Sequence, residues 1–582
     1  MNGWTGKILR VDLNARTSDI LSLSEDIYRQ YIGGRGLAGY ILRQSPLLPW
    51  DDPQMPLMLF TGPLTGTAAP ASGHVIIAAR SPLTDGVFDE SVGGALGTRL
   101  KAAGLDGLVI TGMGNTWTGL EINDDGVRFS DATHLLPLSI SRAAKTLNAT
   151  GSLAMIGPAA HRGVRFASVV VDEYFAAARG GLGLCFAQKK LKYISVNGQG
   201  QPRVAHADVL SEAREDILRL TSASSILQGE NGISRLGTAA LFDLIHTRRM
   251  MPTANFRHTF FAHATSLNAA AIRDTGTSGF ECAGCHIGCR RKSAHGKPVP
   301  DYETLAHFSA LLENDSLEIV LAANALCGEL GIDPVSAASV LACYGEINNQ
   351  KLAGDDILRL LEDIGAGTGA GAALGQGSVR YARDAGRPEC AMTVKGLELP
   401  AYDPRGAYGL ALGYAVSTRG GCHLRSYPLS HEILRKPVAT DRFSFSGKAR
   451  IIKIAEDQNA VADSLAVCRH IFLAASMAEY ARALEAVTGV SFTVADLSLV
   501  GARISYGERI LNARFGLVGA DDDLPERFFT DAGTSGPAFD VPPIDRESFL
   551  AARRRYFTVR GLDADGMPRR EMADELELVW ND

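Results

Sequence analysis

Three cysteines, Cys282, Cys285 and Cys289, stand close together near the middle of a chain of 582 residues. Thiols spaced by two and then three residues suit a bound metal better than a disulfide framework. Structural zinc takes four ligands, usually as two pairs, and no second pair follows; His286 inside the run or a residue far along the chain would have to complete the set. An iron–sulfur cluster whose fourth cysteine is distant in sequence fits the run better. Two further residues are candidates for moving protons, Glu303 and His423, the latter following Arg419, Gly420, Gly421 and Cys422. An imidazole titrates near neutral pH, and paired glycines bring its backbone close to a neighbour. The plainer reading of each is a packing histidine and a surface or capping glutamate.

The elements that must position these groups change character along the chain. Residues 1 to about 200 alternate short β-branched runs with turns, which predicts strands at 7–13, 57–60, 74–79, 107–111, 166–171 and 193–196. Glycine-rich stretches separate them at 33–36, 62–66, 91–94, 157–159 and 179–183. Each serves as a tight turn, and together, beside Arg179, they would let backbone N–H groups approach an anionic cofactor. From about 205 apolar residues recur at helical spacing, and the run 317–333 predicts a helix ending near Gly331. Residues 365–371, four of them glycine, read as a surface loop with no chemical role, and the basic run at 553–555 as the solvated face of a helix.

Composition narrows the classes. Hydrophobic residues make up 46% and charged residues 21%, which describes a globular chain. The 58 basic and 64 acidic residues are mixed along the sequence, so no basic stripe supports a nucleic-acid partner. No apolar run reaches the length of a membrane span, and the first residues carry neither a signal-peptide core nor a twin arginine. The expected compartment is the cytoplasm, where nine scattered cysteines would be metal ligands and buried free thiols.

The chain resembles, nearly end to end, the aldehyde ferredoxin oxidoreductase family of tungsten, less often molybdenum, bis-pterin enzymes. The likeness is carried by GWTGKILRVDL at 3–13, GGRGLA at 33–38, GPLTGT at 62–67, SPLT at 81–84, IGPA at 156–159 and ARGGLG at 178–183. It continues through the three cysteines, Tyr302 with Glu303, ELPAYDPRG at 398–406 and RGGCH at 419–423. The resemblance implies an α+β fold. A β-rich saddle of two sheets, residues 1–204, would bind the pterin cofactor, followed by a helical domain with the cysteine run, 205–395, and a second helical domain, 396–582. It further implies that Cys282, Cys285, Cys289 and the distant Cys468 hold one [4Fe–4S] cluster, and that two pterin dithiolenes rather than side chains ligate the tungsten or molybdenum, with magnesium bridging the pterin phosphates. His74, Ser91, Gly93, Gly94, Arg179, Gly180, Gly181, Gly331, Asp333, Arg405 and Asp463 would contact the cofactor. Glu303 and His423 would line the metal pocket and assist proton transfer as a small aldehyde becomes a carboxylate. Electrons would leave through the cluster to ferredoxin or an iron–sulfur subunit.

Departures from the family pattern accompany the matches. His74 stands where the family commonly has an arginine between pterin and cluster, Gly328 replaces an aspartate, and Ala466 replaces a glycine. Ala322 and Ala325 replace the glutamate and histidine that hold an interface metal in archaeal members, so that metal is not expected and homo-oligomerisation is left open. Two rival readings are a catalytic subunit of a related complex acting on another carbonyl-type substrate, and a non-catalytic electron-transfer protein that keeps only the cluster.

Overall fold

Short apolar runs bounded by glycine form strands, and the alternation within each run decides which core each side chain enters. In the computed structural model, which describes residues 1–580, the first sheet contains β1 (Ile8–Asp12), β2 (Thr17–Leu21), β3 (Leu57–Phe60), β4 (Val75–Arg80), β5 (Val87–Val92) and β6 (Gly107–Thr111). Their order is β2-β1-β6-β3-β4-β5, with β1 and β6 parallel and the other neighbours antiparallel. Leu57 and Leu59 of β3 enter one apolar core, while Met58 and Phe60 enter another. The first core is shared with the second sheet, the other with helices Gly34–Gln44, Ala207–Ser222 and Met477–Thr488. Burial on both faces explains why β3 is apolar at every position. The edge strand β2 is short and largely exposed, and Thr17, Ser18 and Asp19 make most of it polar, which suits a free sheet edge.

The second sheet contains β7 (Thr118–Asn123), β8 (Gly126–Asp131), β9 (Ser152–Ile156), β10 (Val169–Val171), β11 (Phe175–Ala177) and β12 (Leu191–Asn197), in the order β11-β10-β9-β12-β7-β8. From Ala207 onward the described residues are mostly helical, with two short strand pairs, Ser278–Phe280 with Arg290–Lys292 and Thr393–Val394 with Leu397–Glu398. The fold is therefore α+β, two six-stranded sheets followed by helices.

Three expectations need correction. The strand expected over 166–171 is only Val169–Val171, because Ala167 and Ser168 turn to meet the 331–332 segment. Residues 365–371 are not a free loop: Gly365 ends helix Gly354–Ala366 against Leu330, Gly367 caps it at φ 68°, and Gly369 opens helix Gly369–Leu374. The glycines of 33–36 and 62–66 admit backbone: a Cβ on Gly34 would lie 2.1 Å from the Asp463 carbonyl oxygen, and one on Gly62 2.0 Å from that of Leu465. They let the first sheet close on the C-terminal segment that carries Asp463 and Cys468.

Candidate active site

The three clustered cysteines form the connection of the hairpin Ser278–Phe280/Arg290–Lys292, with Gly284 at φ 70° and Gly288 at φ 64° making its tight bends. Cys468 reaches them from the turn that follows helix Lys448–Ser464. Ala71, in the loop before β4, ties the two segments: its N–H donates to the Gly284 carbonyl and its carbonyl accepts from the Cys468 N–H, both at 2.9 Å. His74 touches the thiols of Cys282 and Cys468 and places Nδ1 2.8 Å from Ser91 Oγ, while His470 touches Cys289 and Cys468. Gly93 is required beside this group, since a Cβ there would come within 2.4 Å of Cys282 Sγ. All nine cysteines are free. His286, the alternative ligand inside the run, places Nε2 2.8 Å from Thr221 Oγ1. Among the described residues, no group of three or more His, Cys, Asp or Glu is gathered around a single metal ion.

Glu303 lies in the first turn of helix Tyr302–Phe308, which Asp301 caps by accepting the Thr304 N–H at 3.0 Å. Its Oε2 accepts the Ala401 N–H at 2.7 Å; its Oε1 is buried, has no hydrogen-bond partner, and lies 3.5 Å from His423 Nε2. The two side chains are 19% and 11% exposed. Burial drives the Glu303 carboxyl up to about 8 against the opposing Ala401 hydrogen bond. Burial, followed by the positive charges of Arg179, Arg419 and Arg469, holds His423 well below the usual histidine range. At neutral pH the pair is thus a carboxylic acid facing a neutral imidazole. Tyr402 and Tyr427 flank the imidazole, with ring centroids 5.1 and 5.8 Å away.

One segment, 397–401, floors this site. Gly420 and Gly421 rest on it, with Cβ positions that would fall 2.9 Å from Leu397 Cβ and 2.7 Å from the Leu397 carbonyl, so the paired glycines before His423 bring backbone to backbone. Arg179 donates to the Glu398 carbonyl at 2.6 Å and forms a 2.9 Å ion pair with Asp333.

Asp463 is another buried acid with an unpartnered oxygen. Its Oδ2 takes Arg469 at 2.6 Å and Arg35 at 3.4 Å, while Oδ1 has no partner, and Nε of Arg425 and of Arg469 are likewise unpartnered. Around it, Arg35 is bound to Glu508 and Arg425 to Asp89. The expected contacts divide here. Asp333 already caps helix Pro334–Ile347, with Oδ1 accepting from Val335 and Oδ2 from Ser336. Gly331 caps helix Leu317–Leu330 at φ 69°, as its position predicted, and packs on Gly157. Gly94, Gly180 and Gly181 take positive φ with protein against them: Asp172, Phe88 and the Arg165 carbonyl. Arg405 departs most from expectation. Its five N–H groups are taken by Asp403 and by the carbonyls of Phe256, Asp531 and Ala532, so it is a structural clamp with no donor left for a cofactor.

Three residues at the site carry no motif. His470 was within reach of sequence reasoning as a metal-ligating type two residues beyond Cys468, and His307 as the residue one helical turn beyond Glu303. Nothing local marks Tyr427.

The N-terminal domain profile of aldehyde ferredoxin oxidoreductases matches residues 8–198, and the profile of that family's domains 2 and 3 matches residues 212–578. The chain belongs to the aldehyde ferredoxin oxidoreductase family. Like its family, it is an oxidoreductase. It is 33% identical to the tungsten-containing aldehyde ferredoxin oxidoreductase of Pyrococcus furiosus and 34% identical to that of Thermococcus kodakarensis, each over the whole of both chains. It is 26% identical to the aliphatic sulfonate oxidoreductase, WOR-like subunit, of Pyrococcus furiosus, over 99% of this chain and 97% of the other. Its fold matches a chain of the active site complex BamBC of benzoyl coenzyme A reductase with a TM-score of 0.85 at 20% identity, over 99% of this chain and 97% of that one.

Proposed function

We propose that this chain oxidises an aldehyde to its carboxylate at a bis-pterin tungsten or molybdenum centre beside Glu303 and His423, with electrons leaving through a [4Fe–4S] cluster. The observation that carries the reading is the pairing of a buried, unpartnered carboxyl oxygen, Glu303 Oε1, with a neutral imidazole 3.5 Å away. The residues fit the absent groups. Cys282, Cys285, Cys289 and Cys468 would each hold one iron of a cubane, which asks for ligands around a cluster rather than around one ion. Asp463 Oδ1 would accept a pterin ring N–H, and the free Nε groups of Arg425 and Arg469 suit its polar edge. Magnesium at the pterin phosphates belongs to the same reading. So do the cytoplasm, where nine free thiols stay reduced, and a ferredoxin or iron–sulfur subunit as electron acceptor.

Oxidising an aldehyde with water yields a carboxylate, three protons and two electrons. When bound beside Glu303 and His423, the pterin metal would supply the two-electron oxidation, and the cluster held by the four cysteines would supply the route out for single electrons. The side chains handle the rest. Protonated Glu303 offers Oε1–H to the carbonyl oxygen, which orients the aldehyde and favours attack by water. Neutral His423 accepts a proton at Nε2, and the 3.5 Å separation from Oε1 is one that the substrate or a single bridging water would span. Tyr402 and Tyr427 limit the water beside the imidazole.

Similarity over 99% of the chain to a sulfonate oxidoreductase subunit favours one second reading, a catalytic subunit that works on a related carbonyl substrate with a separate electron-transfer partner. Anaerobic purification with metal analysis tests the proposal. The expected result is about four irons and one tungsten or molybdenum per chain, with aldehyde-dependent reduction of a viologen dye. Iron without tungsten, molybdenum or pterin would overturn it.

A further inference from the structure

Helix Tyr302–Phe308 meets the 397–401 segment through three side chains. The Tyr302 hydroxyl donates to the Ala401 carbonyl, and Glu303 Oε2 accepts the Ala401 N–H at 2.7 Å. One turn further on, the fully buried His307 places Nε2 3.2 Å from the Leu399 carbonyl and Nδ1 2.8 Å from the carbonyl of Glu303. Residues four apart share a helix face, and His307 Nδ1 is also 3.9 Å from Glu303 Oε2. The Glu303 carbonyl is already served within the helical ladder, so the single N–H of the neutral ring is assigned to Nε2, which donates to Leu399. The Leu399 carbonyl has no other donor among the described residues, and a buried carbonyl without a donor is costly.

We propose that His307 is a positioning residue for Glu303: by holding Leu399 it keeps the Ala401 amide on Oε2, which leaves Oε1 as the atom that handles the proton opposite His423. This rests on the role of Glu303 proposed above. The consequence can be read in a pH profile. The Ala401 N–H stabilises the carboxylate, so loosening it favours the protonated acid and moves the limb governed by Glu303 to higher pH.

Few other charges face the ring. Arg179 reaches it from the turn before helix Leu182–Gln188, and Asp333 from the cap of helix Pro334–Ile347. The turns Gly237–Leu241 and Ala310–Leu312 pack on the same helix and carry no charged residue. On helix Leu317–Leu330, Glu318 is exposed and Glu329 is bound to Ser141 at 2.9 Å. Burial lowers the His307 ring to about 4, so its own titration stays outside a profile run between about pH 6 and 9.

The test compares His307→Asn with His307→Gln in the holoenzyme, following kcat and kcat/KM against pH together with cluster absorbance. Asparagine reproduces Nδ1 and loses the reach to Leu399; glutamine reproduces Nε2 and keeps it. The Asn variant is expected to move the limb up by about half a pH unit or more and to lower kcat about tenfold, with unchanged cluster absorbance. The Gln variant is expected to keep the wild-type limb. A wild-type limb in the Asn variant, or an equal shift in both, overturns the proposal; if the Asn variant does not fold, His307→Phe takes its place, keeping the ring volume without either nitrogen, and a wild-type limb there overturns the proposal. Glu303→Gln is measured alongside. Retained turnover there overturns the role of Glu303 and this proposal together, whereas loss there with a wild-type Asn variant overturns the role of His307 alone.

Discussion

Glu303 Oε1 faces His423 Nε2 at 3.5 Å and has no hydrogen-bond partner, while Oε2 is anchored to the Ala401 amide. The two oxygens of one carboxyl are thus divided between holding position and handling a proton. Removing either partner should stop the chemistry without disturbing the thiols behind it. Glu303→Gln and His423→Asn are each expected to lower kcat by about 10²–10⁴-fold, with an unchanged cluster absorbance spectrum. Wild-type turnover in either variant would remove that residue from the mechanism.

The same pair sets a pH dependence. Burial raises Glu303 to about 8 and holds His423 well below its usual range. A protonated Glu303 is present below about pH 8 and is lost as pH rises through it, so kcat/KM should fall on the alkaline side with a midpoint near 8. The acid limb should lie well below the ordinary histidine range. A profile of kcat/KM at constant ionic strength checks both, and an alkaline limb that survives in Glu303→Gln would belong to another group.

Cys468 supplies the only sulfur of the group that comes from outside the hairpin. Cys468→Ala should yield protein whose cubane signal is lost or converted to a three-iron species on anaerobic EPR. Retention of an intact cubane would mean that another residue, with His470 the nearest candidate, completes the set.

Arg405 separates a structural role from a cofactor role. Arg405→Met leaves the buried Asp403 without its guanidinium, which costs about 3–5 kcal/mol when a buried pair is broken on one side. Thermal unfolding should therefore fall markedly while tungsten or molybdenum per folded chain stays constant. Loss of metal from protein that melts normally would restore Arg405 to the cofactor site.

Much of this was legible in the sequence where burial and chemistry coincide on neighbouring residues. Leu57–Phe60 reads as a strand because both of its faces are buried, and Gly331 marks a helix end because the cap needs a left-handed residue. The thiol run was marked by its own spacing and its distant fourth member, Cys468, by the family likeness, and the backbone bonds of Ala71 tie the two segments together. The edge strands β2 and β8 each carry only two large apolar residues, too few to stand out as strands. The glycines at 365–371 suggested freedom because composition cannot show that Leu330 fills the space a side chain would need. Arg405 was given a ligand because its satisfied donors face carbonyls more than a hundred residues away, at Phe256 and Asp531. Long-range partners of that kind decide whether a charged residue is spent or available, and no local pattern encodes them.

Ala71 joins the hairpin of Cys282, Cys285 and Cys289 to the segment of Cys468, and it belongs to neither; it comes from the loop between β3 and β4 of the first sheet. The ligand set is therefore complete only when the earliest and latest parts of the chain have met. On the proposed reading, a cluster delivered during synthesis would find at most three of its thiols, which makes complete loading a late step of maturation and predicts that a chain truncated before residue 468 cannot hold the four-cysteine cubane.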